Sequence, residues 1–242
     1  MRMKTETVTY RADGLTMKGE LHWDETRAGP RPGVLVFPEA FGLGEHAKSR
    51  ARRLAEHGYV ALAGDLHGDG KVFSSLPEIM PAITALRDDP ARIRARARGA
   101  LDLLAARPEV DARRIASIGF CFGGTTSLEL ARSGADIVAV TGFHSGLETK
   151  APPEDAKAIK AKILVCIGAD DPGIPPEQRA AFEREMTGGG VDWRLHVYGG
   201  VVHSFTNPDA DKVGMPEFAR YDAGADRRSW AEMLALFEEA FA

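Results

Sequence analysis

Cys121 stands in the run Gly119-Phe120-Cys121-Phe122-Gly123-Gly124, with a glycine two residues to either side. The apolar stretch Arg114-Ile115-Ala116-Ser117-Ile118 precedes the run, and Thr125 to Arg132 reads as a helix after it. A strand that turns sharply into a helix holds the residue at the tip of the turn in strained backbone geometry. The residues two before and two after that tip pack against each other, so both places call for glycine. A thiol at the tip lies at a helix N-terminus, where backbone N–H groups hold an oxyanion and the helix dipole favours a thiolate. The chemistry on offer is nucleophilic attack. Cysteine is also an ordinary small hydrophobe of protein cores. Cys166, inside Ile163-Leu164-Val165-Cys166-Ile167 and without a glycine frame, reads that way.

A thiol nucleophile needs a base, and the base needs an orienting acid. On a fold that presents its nucleophile at a strand-to-helix turn, the chain order is nucleophile, acid, histidine. Cys121, Asp171 and His203 follow that order. His203 falls in a loop after the last expected strand. His46 and His57 lie on a helix, His22 and His196 in strands, and His67 and His144 precede the acid. Asp170, beside Asp171, stays open as the alternative acid, and either aspartate could serve only as a turn residue before Pro172.

These residues need elements that bring them together. The chain has 242 residues, 44% apolar and 27% charged, enough for one globular domain with a sizeable core. A net charge of −4 offers no bulk attraction to nucleic acid or an anionic membrane. No apolar run approaches a membrane span, and Met1-Arg2-Met3-Lys4-Thr5-Glu6 lacks the core of a secretion signal. Two cysteines in unlike settings do not suggest a disulfide framework. A reducing cytoplasm is the expected location.

Thr5 to Ala12 and Leu15 to Trp23 alternate apolar and polar residues around Asp13-Gly14, which predicts a hairpin at an antiparallel sheet edge. Gly33 to Pro38, Tyr59 to Leu66, Ile137 to Thr141, Lys162 to Gly168 and Trp193 to Tyr198 read as strands. Helices are expected from about Glu45 to His57, after the cap Asp89-Pro90, from Pro176 to Met186, and from Asp226 to Phe241. Arg92, Arg94, Arg96 and Arg98 crowd one of these helices and are expected to form a solvated basic face rather than a nucleic-acid surface. Residues 67–87 are less regular and are the candidate for a small lid or site-lining insertion.

Strands alternating with helices predict an α/β fold: a mostly parallel central sheet flanked by helices on both faces, in a single domain over residues 1–242. Sites on such sheets gather beyond the carboxyl ends of the strands. Glu39, Cys121, His144, Asp171 and His203 all fall just after expected strands.

Four separated motifs together resemble the dienelactone hydrolase family, also called carboxymethylenebutenolidases, of the α/β-hydrolase fold. They are Pro38-Glu39-Ala40-Phe41-Gly42, the Cys121 turn, Gly168-Ala169-Asp170-Asp171-Pro172 and His203-Ser204-Phe205. The resemblance runs from about Thr5 to the C-terminus. It implies a cytoplasmic hydrolase that opens lactones or cleaves esters with no metal and no organic cofactor. It places the acid at Asp171, fourth from Gly168. It gives Glu39 the part of a carboxylate near the thiol that holds and then releases the nucleophile's proton; a carboxylate there disfavours the thiolate. With it, the oxyanion donors are the backbone N–H groups of Phe122 and Ala40. Glu39 could instead be a loop carboxylate capping the helix near Glu45.

The chain also departs from that pattern. Dienelactone-cleaving members hold the substrate carboxylate with arginines, one of them a few residues after the catalytic histidine. Asn207 stands in that place here, and a planar carboxylate loses its bidentate partner. Lys71 and Arg87 align with no second arginine. A neutral or differently shaped ester or lactone is therefore expected. Phe41, Lys71, His144, Phe205 and Asn207 are the candidate substrate-lining residues.

The leading expectation is an esterase or lactonase working through a cysteine triad and a thioester. A broader acyl or phosphoryl-ester hydrolase is the enzymatic alternative, and a small-molecule-binding protein that kept the pocket is the alternative of another class. The glycines around Cys121 do not fit the dinucleotide-binding pattern G-x-G-x-x-G. The expected partner is a small ester or lactone, with no nucleic acid and no membrane, and the chain is expected to be a monomer or small homo-oligomer.

Overall fold

A computed structural model describes residues 1–242. Strands β1 (Met3–Ala12) and β2 (Leu15–Asp24) pair antiparallel, with Ala12 opposite Leu15 and Met3 opposite Asp24. Asp13 and Gly14 link them at φ of +48° and +72°. Two left-handed residues are what a two-residue hairpin of right-handed twist demands. Next to β2, also antiparallel, lies β4 (Val60–Ala63).

The remaining strands run parallel: β3 (Arg31–Phe37), β5 (Val110–Phe120), β6 (Ala139–Phe143), β7 (Lys162–Gly168) and β8 (Trp193–Tyr198). The sheet order is β1-β2-β4-β3-β5-β6-β7-β8. This is the α/β-hydrolase fold, with the expected antiparallel edge.

The helices are α1 (Glu45–Glu56), α2 (Leu76–Asp88), α3 (Pro90–Ala105), α4 (Phe122–Arg132), α5 (Pro176–Gly189) and α6 (Ala223–Ala240). Alternation along β3 shows how they divide. Val34 and Val36 join a core with Leu54 of α1 and Trp230 and Phe237 of α6. Leu35 and Phe37, on the opposite face, join a core with Leu101 of α3, Leu128 of α4 and Phe182 of α5. A strand buried on both faces reads as an unbroken apolar run, as this one does.

Two elements differ from expectation. Residues 67–87 are more ordered than their sequence suggests, because α2 occupies the second half. Ile79, Ile83 and Leu86 form its buried stripe. Pro81 inside the helix hides that period, since proline normally ends a helix. The arginine row of α3 is not a solvated face either. Arg92 and Arg96 both pair with Asp13 of the hairpin turn, and Arg94 pairs with Glu129 and Asp155. Arg92, Arg94 and Arg96 fasten α3 to the hairpin, to α4 and to a short 3-10 turn at Pro153–Ala158, while Arg98 makes no ion pair.

Candidate active site

The tip of the β5–α4 turn is Cys121, at φ +54° and ψ −119°. Its N–H donates to the Phe143 carbonyl of β6 at 3.0 Å, which pins the turn to the sheet. A Cβ added to Gly119 would lie 2.0 Å from the Gly123 carbonyl oxygen, and one added to Gly123 would lie 2.2 Å from that of Phe37. Both glycines are there because backbone fills the space a side chain would need. Gly124 is equally confined, with Ser145 Oγ 1.6 Å from where its Cβ would be.

The loops after β7 and β8 bring Asp171 and His203 to this tip. His203 Nδ1 donates to Asp171 Oδ2 at 2.7 Å. The other carboxylate oxygen, Oδ1, accepts from the Gly173 N–H at 2.8 Å, so Asp171 is held from two sides. Asp171 is buried and Asp170 exposed, so the carboxylate turned toward His203 is Asp171. The ring of Phe218 stacks on His203 at 5.3 Å, and the Phe218 carbonyl accepts the His203 N–H at 3.0 Å. Sequence reasoning missed Phe218, a lone aromatic in an irregular segment that has no periodic signal.

His203 and Cys121 share one cavity wall. Burial alone disfavours a charged His203, but negative charge on the Cys121 sulfur and the hydrogen-bonded Asp171 carboxylate outweigh it and push the imidazole up to about 10.

Glu39 follows β3 and lines the same cavity, but it makes no hydrogen bond to Cys121. Asn207 Nδ2 donates to its Oε2 at 2.7 Å and Ser204 Oγ donates to its Oε1 at 3.2 Å. His46 Nδ1 lies 3.7 Å from Oε2. Burial works against ionising this carboxyl, yet His46, Asn207 and the nearby His203 hold it below the ordinary glutamate range. In this arrangement both Glu39 oxygens are hydrogen-bonded by the loop after His203 rather than by the Cys121 thiol. His46, which sequence reasoning set aside as a helix residue, is part of the site's surroundings; nothing in its local spacing marks it.

Phe122 opens α4, so its N–H has no carbonyl one turn back to bond. The Ala40 N–H takes no part in the turn bonds that fold its loop. That loop is braced: His67 Nε2 bonds the Ala40 carbonyl at 2.7 Å, the Phe73 N–H bonds the Phe41 carbonyl at 2.9 Å, and a Cβ on Gly42 would strike the Lys71 carbonyl oxygen at 2.4 Å.

Of the candidate lining residues, Phe41 and Asn207 do face the cavity. His144 and Phe205 do not: both are fully buried. His144 packs edge-on against His203 at 5.1 Å and bonds Thr206 Oγ1 through Nε2 at 2.8 Å. Burial, followed by the charges of His203, His46 and Arg50, lowers its pKa well below that of a free histidine. Lys71 is exposed and sits over the Phe73 ring, away from the wall. The cavity encloses about 440 Å³ and is mostly apolar. Its roof is α2, through Leu76, Ile79, Met80 and Ile83, which the sequence left in an irregular insertion.

No group of histidine, cysteine or carboxylate side chains in the structure is arranged to hold a metal ion, and no helix is long and apolar enough to cross a membrane.

Comparisons with known proteins agree with the fold. The structure called m3DLH shares 50% sequence identity over the whole of both chains, with a TM-score of 0.97. A dienelactone hydrolase-like promiscuous phosphotriesterase from metagenomic libraries shares 48% identity over 99% of each chain, with a TM-score of 0.94. Protein usf of Aquifex pyrophilus is 25% identical over 97% of this chain and 98% of its own. The model of the Dienelactone hydrolase family matches residues 20–241. The chain belongs to the dienelactone hydrolase family, and is a hydrolase of α/β-hydrolase fold.

Proposed function

We propose that this protein hydrolyses a carboxylic ester or lactone through Cys121, His203 and Asp171. The observation that carries this reading is the strained Cys121 tip on the wall of an apolar cavity, beside a histidine that Asp171 grips at 2.7 Å. His203 takes the thiol proton and the thiolate attacks the carbonyl carbon. The oxyanion is received by the N–H groups of Ala40 and Phe122. His203 returns its proton to the departing alkoxide, which leaves a thioester on Cys121. Water then enters, His203 takes one of its protons, and the hydroxide displaces the thiolate to release the acid. Asp171 keeps the imidazole in the working tautomer throughout.

The test is 4-nitrophenyl acetate hydrolysis by wild type and Cys121→Ala near neutral pH. Wild type should turn over, and the variant should lose at least ~100-fold, because the covalent route is gone. Equal rates would remove Cys121 as nucleophile.

A second reading has one specific support, the 48% identical neighbour named as a promiscuous phosphotriesterase. A thiolate in this position can attack a neutral phosphoryl centre as it does a carbonyl, forming an S–P bond and expelling an aryloxide. Paraoxon hydrolysis by the same two proteins tests it.

A further inference from the structure

Glu39 is the one carboxylate on the cavity wall that is both inward-facing and without a cationic hydrogen-bond partner. Its side chain is only 16% exposed, and its two hydrogen-bonded partners, Asn207 and Ser204, are neutral donors. Neutral donors fix an ionised carboxylate in place without cancelling its charge. Two histidines favour the ionised form of Glu39: His46, 3.7 Å away and off the wall, and His203, on the wall, whose Nδ1 is bonded to Asp171.

The other carboxylate on the wall, Asp209, is exposed and paired with Lys212 at 2.7 Å. The one arginine or lysine on the wall is Arg87, exposed at the end of α2 with its guanidinium 5.9 Å from the Phe122 ring.

We propose that Glu39 makes this cavity charge-selective, admitting neutral or cationic substrates and rejecting those that carry a carboxylate. The inference rests on the hydrolase reading of the site. A cavity of 440 Å³ is roughly 9 Å across if spherical, close to the ~8 Å screening length of physiological salt. Any group placed inside therefore lies within about one screening length of Glu39, where salt weakens the interaction only in part. Arg87 pulls the other way, but from water. A charge interaction is several times weaker at an exposed position than in a desolvated one, so the buried carboxylate outweighs the exposed guanidinium. The bidentate fork that would reward a substrate carboxylate is also missing, because Asn207 spends its amide on Glu39.

Three 4-nitrophenyl esters of similar length isolate charge from shape. Their acyl chains end in a carboxylate (adipate), a carboxamide (adipamate) or an ammonium (6-aminohexanoate). With wild type, kcat/KM for the carboxylate should fall about tenfold or more below the carboxamide, and the ammonium should match or exceed the carboxamide. Glu39→Gln removes the charge, and its amide can still accept from Asn207 Nδ2 and donate to the Ser204 hydroxyl; it should bring carboxylate and carboxamide to within about threefold. Arg87→Ala should leave the wild-type discrimination intact or sharpen it.

Wild-type ratios near one, a preference for the carboxylate, or discrimination that survives Glu39→Gln would each overturn the proposal. Should Glu39→Gln fail to fold, the wild-type and Arg87→Ala ratios still decide, since a carboxylate preference abolished by Arg87→Ala would hand specificity to the arginine. Cys121→Ala, run with the carboxamide, separates the two ideas. Its loss of turnover together with a flat charge series sinks charge selectivity alone, whereas undiminished turnover sinks the nucleophile.

Discussion

Asp171 Oδ2 accepts the Nδ1 proton of His203 at 2.7 Å, and this bond ties the loop after β7 to the loop after β8. On the proposed mechanism, Asp171 sets both the tautomer and the charge of His203. His203, with its pKa pushed up to about 10, keeps its proton through neutral pH and loses it as the pH rises through that value. An alkyl ester or lactone needs the imidazolium to protonate its alkoxide, so kcat/KM for such a substrate should decline above about pH 10. A 4-nitrophenyl ester, whose leaving group needs no proton, should lose less there. Asp171→Asn removes one cause of the raised value, so the alkaline limb should move to lower pH. It should also cost ~100-fold or more in rate, because the imidazole loses its fixed tautomer. A pH profile of kcat/KM for both proteins checks both effects, and an unmoved alkaline limb would show that Asp171 does not set the protonation of His203.

Phe41 and His144 make a paired test of which residues touch substrate. Phe41 lines the cavity, whereas His144 is fully buried behind His203. Phe41→Ala should raise KM several-fold for 4-nitrophenyl butyrate, the expected loss for ~1 kcal/mol of apolar contact. His144→Asn tolerates the backbone φ of +41° but breaks the bond to Thr206. It should lower the melting temperature, at a cost of about 1–3 kcal/mol for the disturbed buried hydrogen bond, with KM unchanged. A raised KM in His144→Asn would put that side chain in the binding site after all.

The Cys121 turn was legible because its glycines answer a local steric demand, and local demands leave local marks. The hairpin at Asp13-Gly14 was legible for the same reason. Asp170 and Asp171 look alike in local spacing; the resemblance favoured Asp171, and the burial of Asp171 and exposure of Asp170 agree with it. Glu39 shows the limit more sharply: its partners stand 165 and 168 residues away, at Ser204 and Asn207. No spacing rule reaches that far. Helix α2 was hidden by Pro81, and the α3 arginines were misjudged because Asp13, Glu129 and Asp155 come from three other parts of the chain.

Asp13 holds the hairpin to α3. Its side chain is 16% exposed and that of Arg96 only 8%. Burial opposes its charge, but the hydrogen bonds from Arg92 and Arg96 win and hold its carboxyl below the usual aspartate range. A depressed carboxylate stabilises the fold above the pH at which the unfolded group ionises, and that stability is lost as pH falls through the lower, folded value. Asp13→Asn keeps a residue suited to the left-handed turn and removes only the charge. It should cost about 1–2 kcal/mol at neutral pH. Thermal melts from pH 7 down to about pH 3 should show the gap from wild type closing as Asp13 itself is protonated. A constant gap would mean that the loss is not electrostatic.

Gly123 and Gly188 should respond in opposite directions to the same substitution. A Cβ on Gly123 would lie 2.2 Å from the Phe37 carbonyl oxygen, in backbone at the end of β3, whereas one on Gly188 meets nothing within 4 Å. Gly123→Ala should cost more than about 3 kcal/mol, through strain that no side-chain movement can relieve, and should abolish activity. Gly188→Ala, inside α5, should be neutral or stabilise by about 0.5 kcal/mol by narrowing the unfolded ensemble. Chemical denaturation of the two variants settles the comparison. A stable, active Gly123→Ala would mean the turn has room that its geometry denies.

The two cysteines should separate cleanly by reactivity. Cys166 is fully buried, and burial pushes its thiol up to about 12, so at pH 7.5 almost none of it is thiolate. Cys121 lies on the cavity wall beside His203. Iodoacetamide should therefore alkylate one equivalent of native protein, with peptide mapping placing the label on Cys121 and activity falling in step with it. Cys166 should react only after unfolding. Prior incubation with a slowly released ester should protect Cys121, because the thioester occupies the sulfur that the reagent needs. Labelling of Cys166 at a comparable rate in the native protein would show that the sheet interior opens on the time scale of the reaction. Failure of the ester to protect, with Cys121 reactive and the ester turned over, would argue against a covalent acyl-enzyme and for direct attack by water.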